Sequence, residues 1–175
     1  MRKFTAEVFR ESGGKKKECI QRLFQRPCDL TKEAKVMVEK IQFRTEKDGV
    51  TSLTEQIQKC VQNSGVKSGL LCAFITHTTA ALTVNSFWDP LGHEDIQDEI
   101  RRLIPTRVDF KHQHDTPEDA AGHVKSTLIG PSMTFIIEDG KLLLGHSQGI
   151  YFLEFDGPRN RECYVKILAD RGQEE

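Results

Sequence analysis

Phe74-Ile75-Thr76-His77-Thr78-Thr79-Ala80-Ala81-Leu82-Thr83-Val84-Asn85 is the stretch around which the rest of the chain is organised. Its apolar and β-branched residues favour strand. A histidine flanked by hydroxyls interrupts it. Imidazole is the commonest metal ligand and titrates near neutrality, and neighbouring hydroxyls are suited to orienting it. The plainer alternative is a strand histidine satisfied by one backbone carbonyl.

Working outward, residues 69–76 read as a short apolar strand buried on both faces, and residues 80–85 resume it beyond the threonines. Upstream, residues 36–43 alternate and read as a strand, and Asp48-Gly49 is a turn. Ser52-Leu53-Thr54-Glu55 has the form of a capping box. Leu53, Ile57 and Val61 follow at i, i+4, i+8, so one helical stripe faces a core, and Gly65 lies just past its end. Downstream, Asp89-Pro90 suits an N-cap and first helical position. Ile96, Ile100, Leu103 and Ile104 form a second apolar stripe that stops before Pro105. Residues 105–121 read as a polar loop holding His112 and His114, and residues 122–129 as a short helix carrying His123 and Lys125. The remainder is strand. Residues 133–138 and 141–144 flank Asp139-Gly140, the strongest hairpin signal present, and strands follow at 149–155 and 162–168. Strands outnumber helices and are not regularly interleaved with them. The class is therefore α+β, with a mixed or mainly antiparallel sheet, two main helices and a C-terminal run of strands.

The 175 residues suit one domain, placed at 34–169. A basic extension at 1–33, with Gly13-Gly14 and Lys15-Lys16-Lys17, precedes it. It carries no assigned chemistry, though residues 20–24 suit a short docking helix. A charged tail spans 170–175. The 25 Lys and Arg against 26 Asp and Glu leave no global field favouring nucleic acid or membrane partners, and no apolar run approaches the roughly 20 residues that span a bilayer. Five cysteines without paired spacing or Cys-x-x-Cys exclude a disulfide framework and a thiolate zinc site. Cys72 reads as a small buried hydrophobe. The expected compartment is reducing and cytoplasmic.

Three histidines, His77, His112 and His123, are candidates for one metal site. Catalytic zinc commonly takes three protein ligands and keeps a position for water, and neutral imidazoles leave the ion its full charge. His112 and His123 are too far apart for a helical pair, so a fold must join them. His114 is the rival third ligand, His93 suits a cap or a neutral role, and His146 could line the same cleft. A second group is cationic. Asp156-Gly157-Pro158-Arg159-x-Arg161 is a tight turn with two guanidiniums, whose forks match phosphate; the alternative is a hairpin turn with arginines in solvent. Gln148 lies between glycines, and Lys125-Ser126 follow His123 at an edge suited to phosphate.

Taken together, these pieces resemble the YjbQ-like family. The resemblance rests on His77-Thr-Thr-Ala-Ala-Leu-Thr-Val-Asn85, Asp89-Pro90 with Asp95, His112 followed by His123-Val-Lys-Ser, Gly130-Pro-Ser132, Gly145-x-x-Gln148-Gly149-Ile-Tyr151 and Asp156-Gly-Pro-Arg159-x-Arg161. It covers about residues 34–168. It implies an α+β fold assembled as a homotrimer and a divalent metal, zinc by donor type, on His77, His112 and His123. It also implies a weak thiamine-phosphate synthase activity, in which a thiazole phosphate displaces pyrophosphate from an aminopyrimidine pyrophosphate. On that basis Asn85, Asp89, Asp95 and Lys125 are the catalytic candidates. Thr78, Thr79, Ser126, Gln148, Arg159 and Arg161 would hold a small phosphorylated metabolite. Two departures stand out. Ser86 replaces the family's glutamate after the asparagine, and Ser147, beside His146, replaces a bulky aromatic. The expected function is a metal-assisted phosphate- or pyrophosphate-handling enzyme. The alternatives are a non-catalytic metal- or phosphometabolite-binding module and a purely structural trimer.

Overall fold

The computed structural model describes residues 36–112 and 115–171. The extension at 1–33, Cys19, Cys28, His114 and most of the charged tail lie outside the described residues. The chain runs β1 (Val36–Arg44), β2 (Val50–Ser52), α1 (Thr54–Ser64), β3 (Gly69–Ile75), β4 (Ala80–Ser86), α2 (Leu91–Leu103), α3 (Pro117–Ile129), β5 (Ser132–Glu138), β6 (Lys141–Leu142), β7 (Gln148–Glu154) and β8 (Asn160–Ala169). Five strands form one sheet in the order β1-β8-β3-β5-β6, and three form another in the order β2-β7-β4. Every pairing is antiparallel. The opening stretch divides in two, with β3 in the larger sheet and β4 in the smaller. Thr76–Thr79 is the crossover between them.

The core lies between the sheets and under α1. Strand alternation supplies it: Leu71, Ala73 and Ile75 from β3, Cys163, Val165 and Ile167 from β8, and Ile150 and Phe152 from β7, all meeting Leu53, Ile57 and Val61. Burying one such aliphatic contributes about 1.5–3 kcal/mol. The expected double burial of β3 does not occur. Leu70 and Phe74 are 45% and 42% exposed, because nothing in the described chain covers the outer face of the larger sheet. The doubly covered strand is β7, buried throughout from Gly149 to Glu154, since the core lies on one side of it and helices on the other.

Helix starts also differ from expectation. Ser52 pairs with Tyr151 at the end of β2, so it does not cap α1, which has no side-chain cap. Gly65, at φ 72°, ends α1 as expected. Asp89 Oδ1 accepts the Leu91 amide at 3.0 Å and opens α2. The stripe on α2 is not a core face: Ile96 and Ile100 are half-buried, Leu103 is 67% exposed, and Gln97 is the buried residue. Among the described residues there are three helices, the two main ones and the expected short one, which is longer than its predicted 122–129. The third begins at Pro117 because Thr116 Oγ1 accepts the Asp119 amide at 3.1 Å and proline occupies the first turn. Asp139 and Gly140 both take positive φ, the geometry of the predicted hairpin. Cys60, Cys72 and Cys163 are free thiols; Cys60 and Cys163 are buried and Cys72 half-buried. Among the described residues no helix is long and apolar enough to cross a membrane.

Candidate metal centre

Helix α3 sits close against the crossover. A Cβ on Gly122 would meet Thr79 side-chain atoms at 3.1 and 3.2 Å, tighter than ordinary contact, so glycine eases this approach. The approach sets His123 beside Thr78, whose carbonyl lies 3.1 Å from His123 Nδ1. A carbonyl only accepts, so Nδ1 carries the proton and donates it. In the neutral ring, Nε2 is then a bare lone pair. It points at Asp119 Oδ2, 3.3 Å away and one helical turn earlier. The loop before α3 brings His112 Nε2 to the same oxygen, also at 3.3 Å. The two rings stand edge to face with centroids 5.2 Å apart.

Acceptor therefore faces acceptor, which only a proton or a cation between them resolves. The spacing suits a cation: atoms bound about 2.0–2.1 Å from a tetrahedral ion stand about 3.3–3.4 Å apart. His112, Asp119 and His123 offer ligand atoms that all lie within 4.8 Å of one another. A backbone carbonyl fixing the far nitrogen of a ligating histidine is the usual outer support of such sites. The donor set, two imidazoles and a carboxylate, fits a divalent ion such as zinc.

His112 and His123 thus meet as expected, but His77 does not join them within this chain. Its Nε2 accepts the Glu162 amide at 2.9 Å, so that lone pair is spent on the backbone. Burial, then the nearby Arg161 cation, hold the ring's pKa below the usual histidine value. His77 faces a separate cleft of about 500 Å3, lined by Gln42, Phe43, Asn160, Arg161 and Glu162. The third group brought to His112 and His123 is Asp119. Its signal in the sequence was the Asp119-x-x-x-His123 spacing on a helix started by Thr116-Pro117.

Arg161 is not an open anion holder. Its Nε and Nη2 grip both oxygens of fully buried Glu154, and Nη2 also donates to Thr79 Oγ1 at 3.0 Å. Thr45 Oγ1 and the Phe155 and Asp156 amides complete the carboxylate's shell. Burial pushes the Glu154 carboxyl up, but the bonds from Arg161, Thr45 and the Asp156 amide outweigh it and hold it below its ordinary value. This network commits Thr79 as well. Arg159 is held by Asp156 at 2.6 Å, with Asp115 at 3.9 Å, and lies within the electrostatic reach of Asp119.

The other candidates scatter. Thr78 contributes its carbonyl, while its side chain is exposed. Ser126 Oγ donates to the Ala80 carbonyl at 2.7 Å and ties α3 to β4. Gln148 Oε1 accepts the Gly145 amide and closes a turn. Asp89 opens α2, and Asp95 is an exposed residue of that helix. Asn85 lines a small cavity under α2 with His93 and Tyr151. Lys125 is buried with its ammonium 5.8 Å from the Phe155 ring centre, and burial lowers its pKa. Ser86 Oγ accepts the Trp88 amide, and His146 stacks on Trp88 at 5.5 Å.

Comparison with known proteins gives a consistent result. The model of the family described as UPF0047 protein YjbQ-like matches residues 39–170. A UPF0047 protein of Methanocaldococcus jannaschii is 43% identical over 136 residues, 77% of this chain and 96% of the relative. The UPF0047 protein YugU of Bacillus subtilis is 36% identical over 136 residues, 76% of this chain and all of the relative. Among solved structures, a YbjQ-like protein of unknown function from Sulfolobus solfataricus P2 superposes with a TM-score of 0.74 at 31% identity, covering 79% of this chain and 100% of that one.

Proposed function

The chain belongs to the YjbQ-like UPF0047 family, and from that premise we propose that it binds a divalent metal, zinc by donor type, and uses it to handle a phosphorylated metabolite. The observation that carries this reading is the bare Nε2 of His123 aimed at an Asp119 oxygen that His112 Nε2 also approaches at 3.3 Å. His112, Asp119 and His123 hold the ion, and Thr78 fixes the His123 tautomer. A cation there supplies Lewis-acid stabilisation to a departing diphosphate. Arg159, beside Asp115 and Asp156, is the group placed to grip the anion's far oxygens. The reaction class is that of a weak thiamine-phosphate synthase, displacing pyrophosphate from an aminopyrimidine pyrophosphate. The protein works as a homotrimer; exposed Val38, Leu70, Phe74 and Ile136 on the outer sheet face support self-association.

A non-catalytic metal- or phosphometabolite-binding module is the second reading. Ser86 favours it, because the hydroxyl there accepts a backbone amide where the family resemblance leads one to expect a glutamate able to act as a base.

The test is metal content of protein purified without an affinity tag, followed by turnover. Near-stoichiometric zinc, lost on His123→Ala, is expected. No divalent metal even after supplementation would end the metal-dependent enzyme and the metal-binding module, leaving only a phosphometabolite-binding module. Thiamine phosphate formed slowly from the two precursors, and faster in Ser86→Glu, would select the enzyme; no product above background selects the module. Sedimentation at several concentrations reads the trimer.

A further inference from the structure

The larger sheet is uneven at one end. Strand β1 follows β8 as far as the pair Arg44–Asn160, whereas β3 leaves at Ile75, opposite Cys163. Residues 160–162 therefore have a strand on one side only. On the other side the crossover offers a side chain, His77, whose Nε2 accepts the Glu162 amide. The cleft of about 500 Å3 opens here, edged by Gln42, Phe43, His77, Asn160, Arg161 and Glu162. Small-molecule sites commonly enclose about 300–1,000 Å3.

The groups these residues have not yet spent decide what fits. A neutral His77 that accepts at Nε2 carries its proton at Nδ1. Arg161 spends Nε and Nη2 on Glu154 and Thr79. Among the described residues its Nη1 has no partner, and it is not sealed from the cleft. Gln42 must give its Nε2 to Glu162, since a carboxylate only accepts, and so keeps Oε1. Phe43 stands across from Arg161 in the β1–β8 register.

Charge, by contrast, is used up along the lining. Arg161 is matched by Glu154. Glu162 is matched by Lys40 at 3.1 Å and also takes Gln42 and the Tyr164 hydroxyl. Arg44 is turned onto Asn160 Oδ1 at 3.3 Å and does not edge the cleft. An ion entering would give up water and meet no unmatched charge, a loss that a neutral group escapes.

We propose that this cleft binds a small, neutral, planar ligand with a carbonyl beside an N–H, an amide or a lactam ring. His77 Nδ1 and Arg161 Nη1 donate to its oxygen, Gln42 Oε1 accepts its N–H, and Phe43 supplies the apolar wall. The site is separate from His112, Asp119 and His123 and needs no metal.

The experiment titrates the full chain with 2-pyridone, with N-methyl-2-pyridone, and with acetate and inorganic phosphate at matched ionic strength. NMR signals of the His77 ring and the Gln42 side-chain amide follow binding. Saturable binding of 2-pyridone that moves both signals is expected. N-methyl-2-pyridone has no N–H and should bind several-fold more weakly, the scale of one neutral hydrogen bond. Gln42→Leu should bind 2-pyridone several-fold more weakly and no longer distinguish the two rings. His77→Phe should weaken both rings to the same degree, and a metal chelator should change nothing. No saturable shift with 2-pyridone overturns the proposal. So do tighter binding of acetate or phosphate, a Gln42→Leu variant that still distinguishes the rings, and loss of binding with the chelator. Should His77→Phe fail to fold, the two rings on the wild type and on Gln42→Leu decide.

Discussion

Two polar clusters flank the Thr78-Thr79 dipeptide, and they are wired in opposite senses. Around Glu154 every acceptor meets a donor: a guanidinium fork, a hydroxyl and two amides converge on one sealed carboxylate. Around Asp119 acceptors meet acceptors at the protein's surface. The first arrangement is complete within the chain and serves architecture. The second is complete only with something positive added. Type of residue does not separate them, since each has a carboxylate and nitrogen donors; the direction of each hydrogen does.

Cutting the satisfied cluster should have the largest effect. Arg161→Met leaves Glu154 charged and unpaired under the core, which costs about 3–5 kcal/mol, read as lost unfolding free energy in urea. Arg161→Met combined with Glu154→Gln should recover part of that. A loss below about 1 kcal/mol for the single variant would break the contrast.

The frustrated cluster should respond with the opposite sign. Zinc at a hundredfold excess over its dissociation constant should stabilise the wild type by about 2.7 kcal/mol. Asp119→Asn should abolish that gain. Without metal, the same variant should match or exceed the wild type, because its carboxamide donates to one bare imidazole nitrogen. Metal-free destabilisation comparable to that of Arg161→Met would put both clusters in one class.

The smallest effect is acid sensitivity on the satisfied side. Glu154 and His77 both have folded-state pKa values below their ordinary ones, so the unfolded chain binds more protons. Their contribution is fully present above the unfolded values, roughly 6.5 for histidine and 4.3 for glutamate, and declines as pH falls through each window. The urea midpoint should therefore drop in two stages on acidification, and His77→Gln should remove the first. A midpoint rising from pH 7 to 5 would contradict the assignment.

Much of the architecture was legible because it rests on local periodicity. The i, i+4, i+8 stripe of α1, the alternation along β8 and the Asp139-Gly140 turn each state their structure within a few residues. Helix α3 was only half legible. Thr116-Pro117-Glu118-Asp119 is a sound helix start, but Ala120-Ala121-Gly122 adds no apolar period, so the first turn passed for loop and Asp119 went unseen as a ligand. The plainer reading of His77, a ring satisfied by the backbone, came close, but its partner is an amide and not a carbonyl. Its partner is the Glu162 amide, 85 positions away, and only the β3–β8 register brings the two together. Arg159 and Arg161 share one motif, yet Arg159 lies in the turn before β8 and Arg161 within the strand, so no strand period relates them. Which of them turns inward depends on Glu154, in another strand.

The placement of β8 has a consequence for how the molecule is made. This strand, the last of those described, lies between β1 and β3 and is the sole partner of β1. A ribosome must therefore release residue 169 before β1 can be zipped into its sheet, and until then β1 has no partner and β3 keeps one edge bare. Non-local closure of this kind is slow and leaves intermediates prone to aggregate. A nascent chain stalled just after Pro158 should accordingly stay open to protease, and release of residues 159–175 should close it in a single step.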